Sequence, residues 1–434
     1  MPMISNGVRR AASVVGALTL LTSAAAMPAI ASAGTPPTQP GVIGSGPNFL
    51  HLPAPLSTSD CLATYGVRCY GVPQLHTAYD LNALYRKGTD GSGTTIVVAV
   101  PFGSPTIRHD LAVFDRQFHL PDPELRIMPL GDFPPYDPTD LERVEWAAAA
   151  TQQVEDAHAI APGARIVLAE VENSDFPALV QGAQTLIDEG IGDVITTIEV
   201  APESSFPGVP QGDDSSLLAL RGALQDAATH HVAMLAPVGN HGVSANWPAT
   251  DPLVTAVGGS QMYLDDAGHR VQPDTTWNDG FGTAGGGGVS TVFDRPSYQA
   301  GVAGVVGAHR GQPDITMTAS VNGGGWVYTS FDGTGGIGWD IFDGTGESTA
   351  LFAGIVALAD QTAGHRLGLI NPALYRLGGL ASDGVLSTGI VDITKGDNTL
   401  NGVPGSTATR GYDLATGLGT LDARFFVPAL ADTK

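Results

Sequence analysis

Charge is scarce in this chain. Only 15% of its 434 residues are Asp, Glu, Lys or Arg, and 43 acidic residues outnumber 20 basic ones. The formal net charge of −23 opposes phosphate backbones and anionic lipid surfaces. That argues against nucleic acid as a partner and fits an acidic surface that keeps an exported protein in solution. Cysteine is almost missing, with Cys61 and Cys69 the two present. No third cysteine or clustered histidine completes a metal set around them, so they read as one local disulfide. A loop that short adds roughly 2–3 kcal/mol at best. Beyond the N-terminus no apolar run is long enough to span a bilayer. Internal repeats are lacking too. What is plentiful is glycine (57) and proline (31), the composition of a loop-rich protein.

The chain divides by composition. Arg9 and Arg10 precede an apolar run from Ala11 to Leu21, and Ala31-Ser32-Ala33 is a small-residue cleavage site. Residues 1–33 are therefore expected to be a signal peptide and the mature protein to be secreted. The export route, general or twin-arginine, stays open. Residues 34–69 read as a Pro/Gly-rich leader ending in the disulfide loop, with 34–60 extended and mobile. From residue 70 to 430 the text becomes that of one large domain. Thr95–Val100, Arg165–Val171, Asp193–Val200, Val232–Val238 and Leu253–Val257 are short apolar strands. Helical stretches alternate with them: 110–118, 141–160, 176–189 and 215–230. Such alternation predicts an α/β fold, a mainly parallel twisted sheet with helices on both faces. Residues 260–345 are glycine-rich and expected to run as long loops, with a hairpin at Asp265-Asp266-Ala267-Gly268. A helix from about 346 to 362 closes the core, and a loop-rich tail follows.

The stretch Gly344-Thr345-Gly346-Glu347-Ser348-Thr349-Ala350-Leu351-Phe352-Ala353-Gly354 organises the rest. It reads as a glycine turn feeding a buried helix, with Thr345 as the expected cap. Hydrolytic enzymes present a nucleophile at such a first turn, where backbone N–H groups point forward. It resembles the nucleophile segment of the sedolisins, the serine-carboxyl peptidases, and more loosely that of the subtilisins. Other blocks match in order: Ala157–Ala164, Pro248–Gly259, Gly286–Ser290, Asn371–Tyr375, Asp392-Ile393-Thr394 and Gly411–Gly419. The resemblance implies a subtilisin-like fold over about residues 70–430.

The chemistry it implies uses a serine nucleophile, a glutamate base, an aspartate one helical turn later, and an oxyanion-holding aspartate. A carboxylate base suits acid pH. Registered on the matching blocks, the base position is Ala149, its partner Gln153, the oxyanion position Asn240 and the nucleophile position Gly346. An amide remains a fair oxyanion donor; the other three residues cannot do the family's chemistry. Ser348 and Glu145 are the nearest substitutes. Ser348 lies about 200° around the helix from Gly346 at ~100° per residue, so a rebuilt triad is not expected.

The resemblance also implies calcium in the tail, held by the side chains of Asp392 and Asp413 and the carbonyls of Ile393, Thr409 and Gly411, hard oxygens of the kind calcium takes. Gly333–Gly338 fits a dinucleotide fingerprint literally, but no helix follows it directly. His230, His231 and His241 match no zinc spacing. Trp326, Tyr328 and Trp339 are expected to pack loops over the sheet. The reading that results is a secreted, calcium-stabilised, monomeric pseudopeptidase that binds a peptide or protein ligand in the former substrate cleft. Two others compete with it: an active acid serine-type endopeptidase with relocated catalytic groups, and a structural envelope protein.

Overall fold

The computed structural model describes residues 48–197, 200–280, 282–331, 336–382, 384 and 386–433. The signal-peptide reading of residues 1–33, and Gly333, Thr334 and Gly335 of the dinucleotide look-alike, lie outside the described residues. The described chain forms one unit within residues 40–434. Among the described residues no helix is long and apolar enough to cross a membrane.

The core is a mainly parallel sheet. Its strands run in the order Thr275–Thr276, Thr255–Gln261, Ala233–Pro237, Val194–Thr197, Thr95–Pro101, Arg165–Val171 and Leu125–Pro129, and Ile315–Thr318 pairs parallel to Thr255–Gln261. Only Thr275–Thr276 is antiparallel. Thr95–Pro101 is buried at every position. Its β-branched residues are sandwiched between layers, as a central parallel strand requires. It pairs with Arg165–Val171 in register from Thr95↔Arg165 to Pro101↔Val171.

Two helices cross the middle of this core. Leu141–Ile160 and Thr345–Ala363 pack against each other so closely that Gly354 has no room for a side chain; a Cβ there would meet Ile160 Cβ at 2.5 Å. Around them Phe352, Phe426, Leu351 and Ile355 are wholly buried. A hydrophobic core of this size is the main stabilising term.

Three expectations need correction. Residues 48–60, the described part of the stretch 34–60 expected to run as an extended leader, are built into the fold. Asn48–Leu52 adds a strand to Gly338–Phe342, and buried Asp340 accepts the Leu50 and His51 N–H groups at 2.5 and 2.9 Å. Helix Thr58–Tyr65 comes next, and the Cys61–Cys69 disulfide ties it to Cys69–Tyr70, which pairs with Gly324–Gly325. In addition, residues 260–345 carry several strands between their loops, including the eleven-residue Ala284–Asp294 and the hairpin Gly324–Thr329/Gly338–Phe342. Glycine-rich text hid these strands because glycine here marks close backbone approach. A Cβ on Gly286 would sit 2.1 Å from the Val238 carbonyl. Finally, the helix expected over 215–230 is broken: a 3-10 turn at Ala219–Arg221 separates Ser215–Leu218 from Gly222–Thr229. The Asp265–Gly268 hairpin is present, closed by the Leu264↔Arg270 bridge and the Gly268 N–H to Asp265 carbonyl bond.

Candidate active-site cleft

A cleft of about 490 Å³ opens where the Leu141–Ile160 helix, the 237–246 segment and the start of the Thr345–Ala363 helix meet. Glu145, Ala149 and Gln152 line one wall at i, i+4 and i+7, the spacing that aligns side chains along one helix face, with Trp146 beside them. Gly239, Asn240 and His241 line another wall, and Asp343, Thr345 and Gly346 a third. Three positions singled out from the sequence, Ala149, Asn240 and Gly346, are thus brought together. Gln153 lies beneath them, wholly buried, its Oε1 accepting from Thr196 Oγ1 at 3.1 Å.

Asn240 is held in one orientation. Its Oδ1 accepts the Thr345 backbone N–H at 2.9 Å and the Thr345 hydroxyl at 2.8 Å, and that hydroxyl accepts the Gly239 N–H at 3.1 Å. A backbone N–H can only donate, so the amide oxygen is assigned and the nitrogen is left on the Gly344 side. Thr345 therefore does not cap the helix as expected. Gly344 occupies the cap at φ +110, a conformation glycine tolerates, and Thr345 is the first helical residue, clamping the loop to the helix. Ser348 is wholly buried; it donates to the Gly258 carbonyl at 2.5 Å and accepts the Met317 N–H at 2.9 Å. It belongs to the sheet contact, not to the cleft. Glu145 is exposed at the cleft mouth.

Asp343 and Gln152 were missed from the sequence. Gln152 follows Ala149 by three residues on a helix and could have been found by spacing. Asp343 carried no such signal. Its carboxyl makes no hydrogen bond among the described residues, and burial, then nearby Asp279, push its pKa up to about 8. Behind it the core holds further carboxyls. Glu347 and Asp156, from the two packed helices, flank Gly325: a Cβ there would lie 3.4 Å from Glu347 Oε1 and 3.6 Å from Asp156 Oδ1. Burial raises both well above the ordinary carboxyl range, and raises Glu155 likewise.

In the tail, Asp392 Oδ2 accepts the Gly411 N–H at 2.8 Å, bringing two of the expected calcium-ligand segments together. Asp413 Oδ1 accepts the Ala415 and Thr416 N–H groups and Oδ2 the Thr409 N–H at 2.8 Å, which leaves Oδ2 acceptor capacity. Among the described residues no backbone N–H bonds the Ile393, Thr409 or Gly411 carbonyl. This oxygen-only donor set suits calcium. Among the described residues no cluster of three or more His, Cys, Asp or Glu side chains could hold a metal. Trp339 packs with Phe114, Phe118 and Tyr328, and Trp326 is buried, as expected of loop-packing aromatics.

Relatives point the same way. Kumamolisin from Bacillus sp. (strain MN-32) is 29% identical over 371 residues, covering 80% of this chain and 62% of that protein. Sedolisin from Pseudomonas sp. (strain 101) is 33% identical over 184 residues, 41% of this chain and 29% of the relative. The solved structure of Pseudomonas sedolisin, a serine-carboxyl proteinase complexed with two molecules of pseudo-iodotyrostatin, superposes with a TM-score of 0.69. It shares 23% identity and covers 82% of this chain and 96% of that one. The chain is a sedolisin homologue with the sedolisin fold. No family model matches this sedolisin homologue. It spans less than two thirds of the length of these curated relatives. The positions that resemblance assigns to the sedolisin base, oxyanion donor and nucleophile, carrying Ala149, Asn240 and Gly346, meet at its cleft, and the partner position, Gln153, is buried beneath them.

Proposed function

We propose that this sedolisin homologue is a secreted, calcium-stabilised pseudopeptidase that binds peptide or protein segments in its cleft without cleaving them. One observation carries the reading. The cleft retains its walls and a clamped Asn240, while Ala149 and Gly346 offer neither base nor nucleophile and Ser348 is spent on the sheet. Nucleophile and base must meet within hydrogen-bond reach to act, and nothing at these positions does. In this reading residues 1–33 export the chain and residues 70–430 form the peptidase-like domain.

The purified mature protein is expected to leave denatured protein uncleaved between about pH 3 and 7, the range in which a carboxylate base works. Turnover that survives purification and vanishes in Glu145→Ala or Ser348→Ala would overturn the reading in favour of an active endopeptidase.

Calcium, in this reading, is held by Asp392 and Asp413 with the carbonyls of Ile393, Thr409 and Gly411; bound, it cross-links the tail. A ligand that binds only the folded state raises stability by about 2.7 kcal/mol at a hundredfold excess over Kd. Chelation should therefore lower the Tm, and Asp392→Ala should abolish the response. A melting curve indifferent to chelator and to added calcium would remove calcium from the mechanism of stabilisation.

A further inference from the structure

The cleft is lined by charge of one sign. Glu145 and Asp343 carry its carboxyls, no lysine or arginine lines it, and His241 is the one lining residue able to become cationic among the described residues. Each carboxyl has an aromatic neighbour in the chain that also lines the cleft, Trp146 beside Glu145 and Phe342 beside Asp343. The two pairs come from different elements, a helix and the turn before another helix. Asp343 also lacks any protein donor among the described residues, unlike Asp340 three residues earlier, whose carboxyl takes two backbone N–H groups.

A carboxyl with no hydrogen bond among the described residues, at the wall of a cleft that Trp146 and Phe342 also line, is matched by one common ligand chemistry. The head of a lysine or arginine side chain supplies donors for the carboxyl, and its stem and charge favour an aromatic face. We infer that Asp343, with Glu145, makes the cleft selective for peptides that place a basic side chain there. The inference rests on the peptide-binding reading above. In the empty cleft burial, and then the neighbouring carboxyl of Asp279, disfavours Asp343 as an anion. Glu145 and His241 face it from the other walls. A bound cation would draw the proton off Asp343. Binding of a basic peptide would therefore release a proton, whereas a neutral ligand gives that carboxyl no reason to ionise.

The test is a set of fluorescent octapeptides that differ at one central residue: Lys, Arg, norleucine or Glu. They are titrated into the mature protein at pH 6. The Lys and Arg peptides are expected to bind at least about tenfold tighter than norleucine, which is ~1.4 kcal/mol, and the Glu peptide weakest. Calorimetry in buffers of different ionisation heat should detect proton release for Lys alone of the Lys/norleucine pair. Asp343→Asn should erase the preference while keeping norleucine binding. Glu145→Gln, at an exposed position, should reduce it and serves if the first variant misfolds. Equal affinity for Lys and norleucine, or a preference untouched by both variants, overturns the selectivity while leaving peptide binding standing. Failure of every peptide to bind overturns both.

Discussion

At pH 4 the protein should melt at a higher temperature than at pH 8. The reason is the number of carboxyls that the fold keeps protonated. Burial raises Glu155, Asp156 and Glu347 well above the ordinary range and pushes Glu170 and Asp360 up to about 7 and Asp343 to about 8. A carboxyl whose pKa is higher folded than unfolded contributes stability that is complete below its unfolded value, near 4, and drains away as pH rises through the folded one. The window set by Glu170, Asp360 and Asp343 is therefore about pH 4 to 8. Each pKa unit corresponds to roughly 1.4 kcal/mol. Water at the partly exposed groups reduces their share, and the sum is still several kcal/mol. Below pH 4 the trend should reverse, because Asp213 and Asp397 as anions accept from the Ser215 and Thr399 side chains and backbone N–H groups, Asp137 and Asp265 accept first from backbone N–H groups, and all four are lowered.

Glu347→Gln isolates the buried cluster. The substitution keeps the shape and removes the titration. At pH 7–8 the variant should be more stable than the parent by at least about 1.4 kcal/mol, because the parent loses up to roughly that much per pH unit above the unfolded carboxyl value and the variant does not. At pH 4, where the parent Glu347 is neutral, the two should melt alike. Thermal melts of parent, Glu347→Gln and Asp156→Asn from pH 3 to 8 decide it. A parent Tm that rises from pH 4 to 8, or a glutamine variant no better at pH 8 than at pH 4, would mean these carboxyls are not buried protonated.

The strands were easiest to read where both faces are buried. Residues 96–101 and 166–169 are short unbroken apolar runs, the pattern of parallel central strands. The helix Leu141–Ile160 was also legible, because Asp140 caps it and the chain turns at Pro162. Its interior was not. Glu155 and Asp156 are charged residues of the type usually found on a solvated face, yet the hairpin Gly324–Thr329/Gly338–Phe342 covers them, and Tyr328 donates its N–H to Glu155. That burial is set by a segment some 170 residues away, which no local period can report. Asp343 escaped for a similar reason: one acidic residue before a glycine turn looks like any loop residue until the cleft forms around it. The three positions Ala149, Asn240 and Gly346 were found by registering the chain on ordered blocks of matching text, and their meeting at one cleft is what those blocks imply.

Restoring the family's groups should restore chemistry. Gly346→Ser, Ala149→Glu and Gln153→Asp, with Asn240 left alone, are expected together to give acid peptidase activity in the region of pH 3–5. The backbone permits it. Gly346 lies within the Thr345–Ala363 helix and is not among the glycines at positive φ, so serine meets no conformational barrier there. Ala149 already faces the cleft, and a glutamate one turn before residue 153 reaches the same face. The carboxylate introduced by Gln153→Asp would find Thr196 Oγ1 as a donor, the bond Gln153 now accepts. Asn240 is clamped by Thr345 and needs no rebuilding to serve a developing oxyanion. General acid–base catalysis contributes on the order of 10²–10⁴ in rate, and the triple variant should exceed the parent by about that factor on a denatured protein substrate. Each single reversion should remain at the parent's level, because nucleophile, base and orienting group act as a unit. Circular dichroism and a melting curve would confirm folding before the assay. A folded triple variant that binds the octapeptides yet turns nothing over would show that the cleft holds peptide out of line with residue 346. One that neither binds nor cleaves would show a cleft closed to peptides, and the structural reading would then displace the binding one.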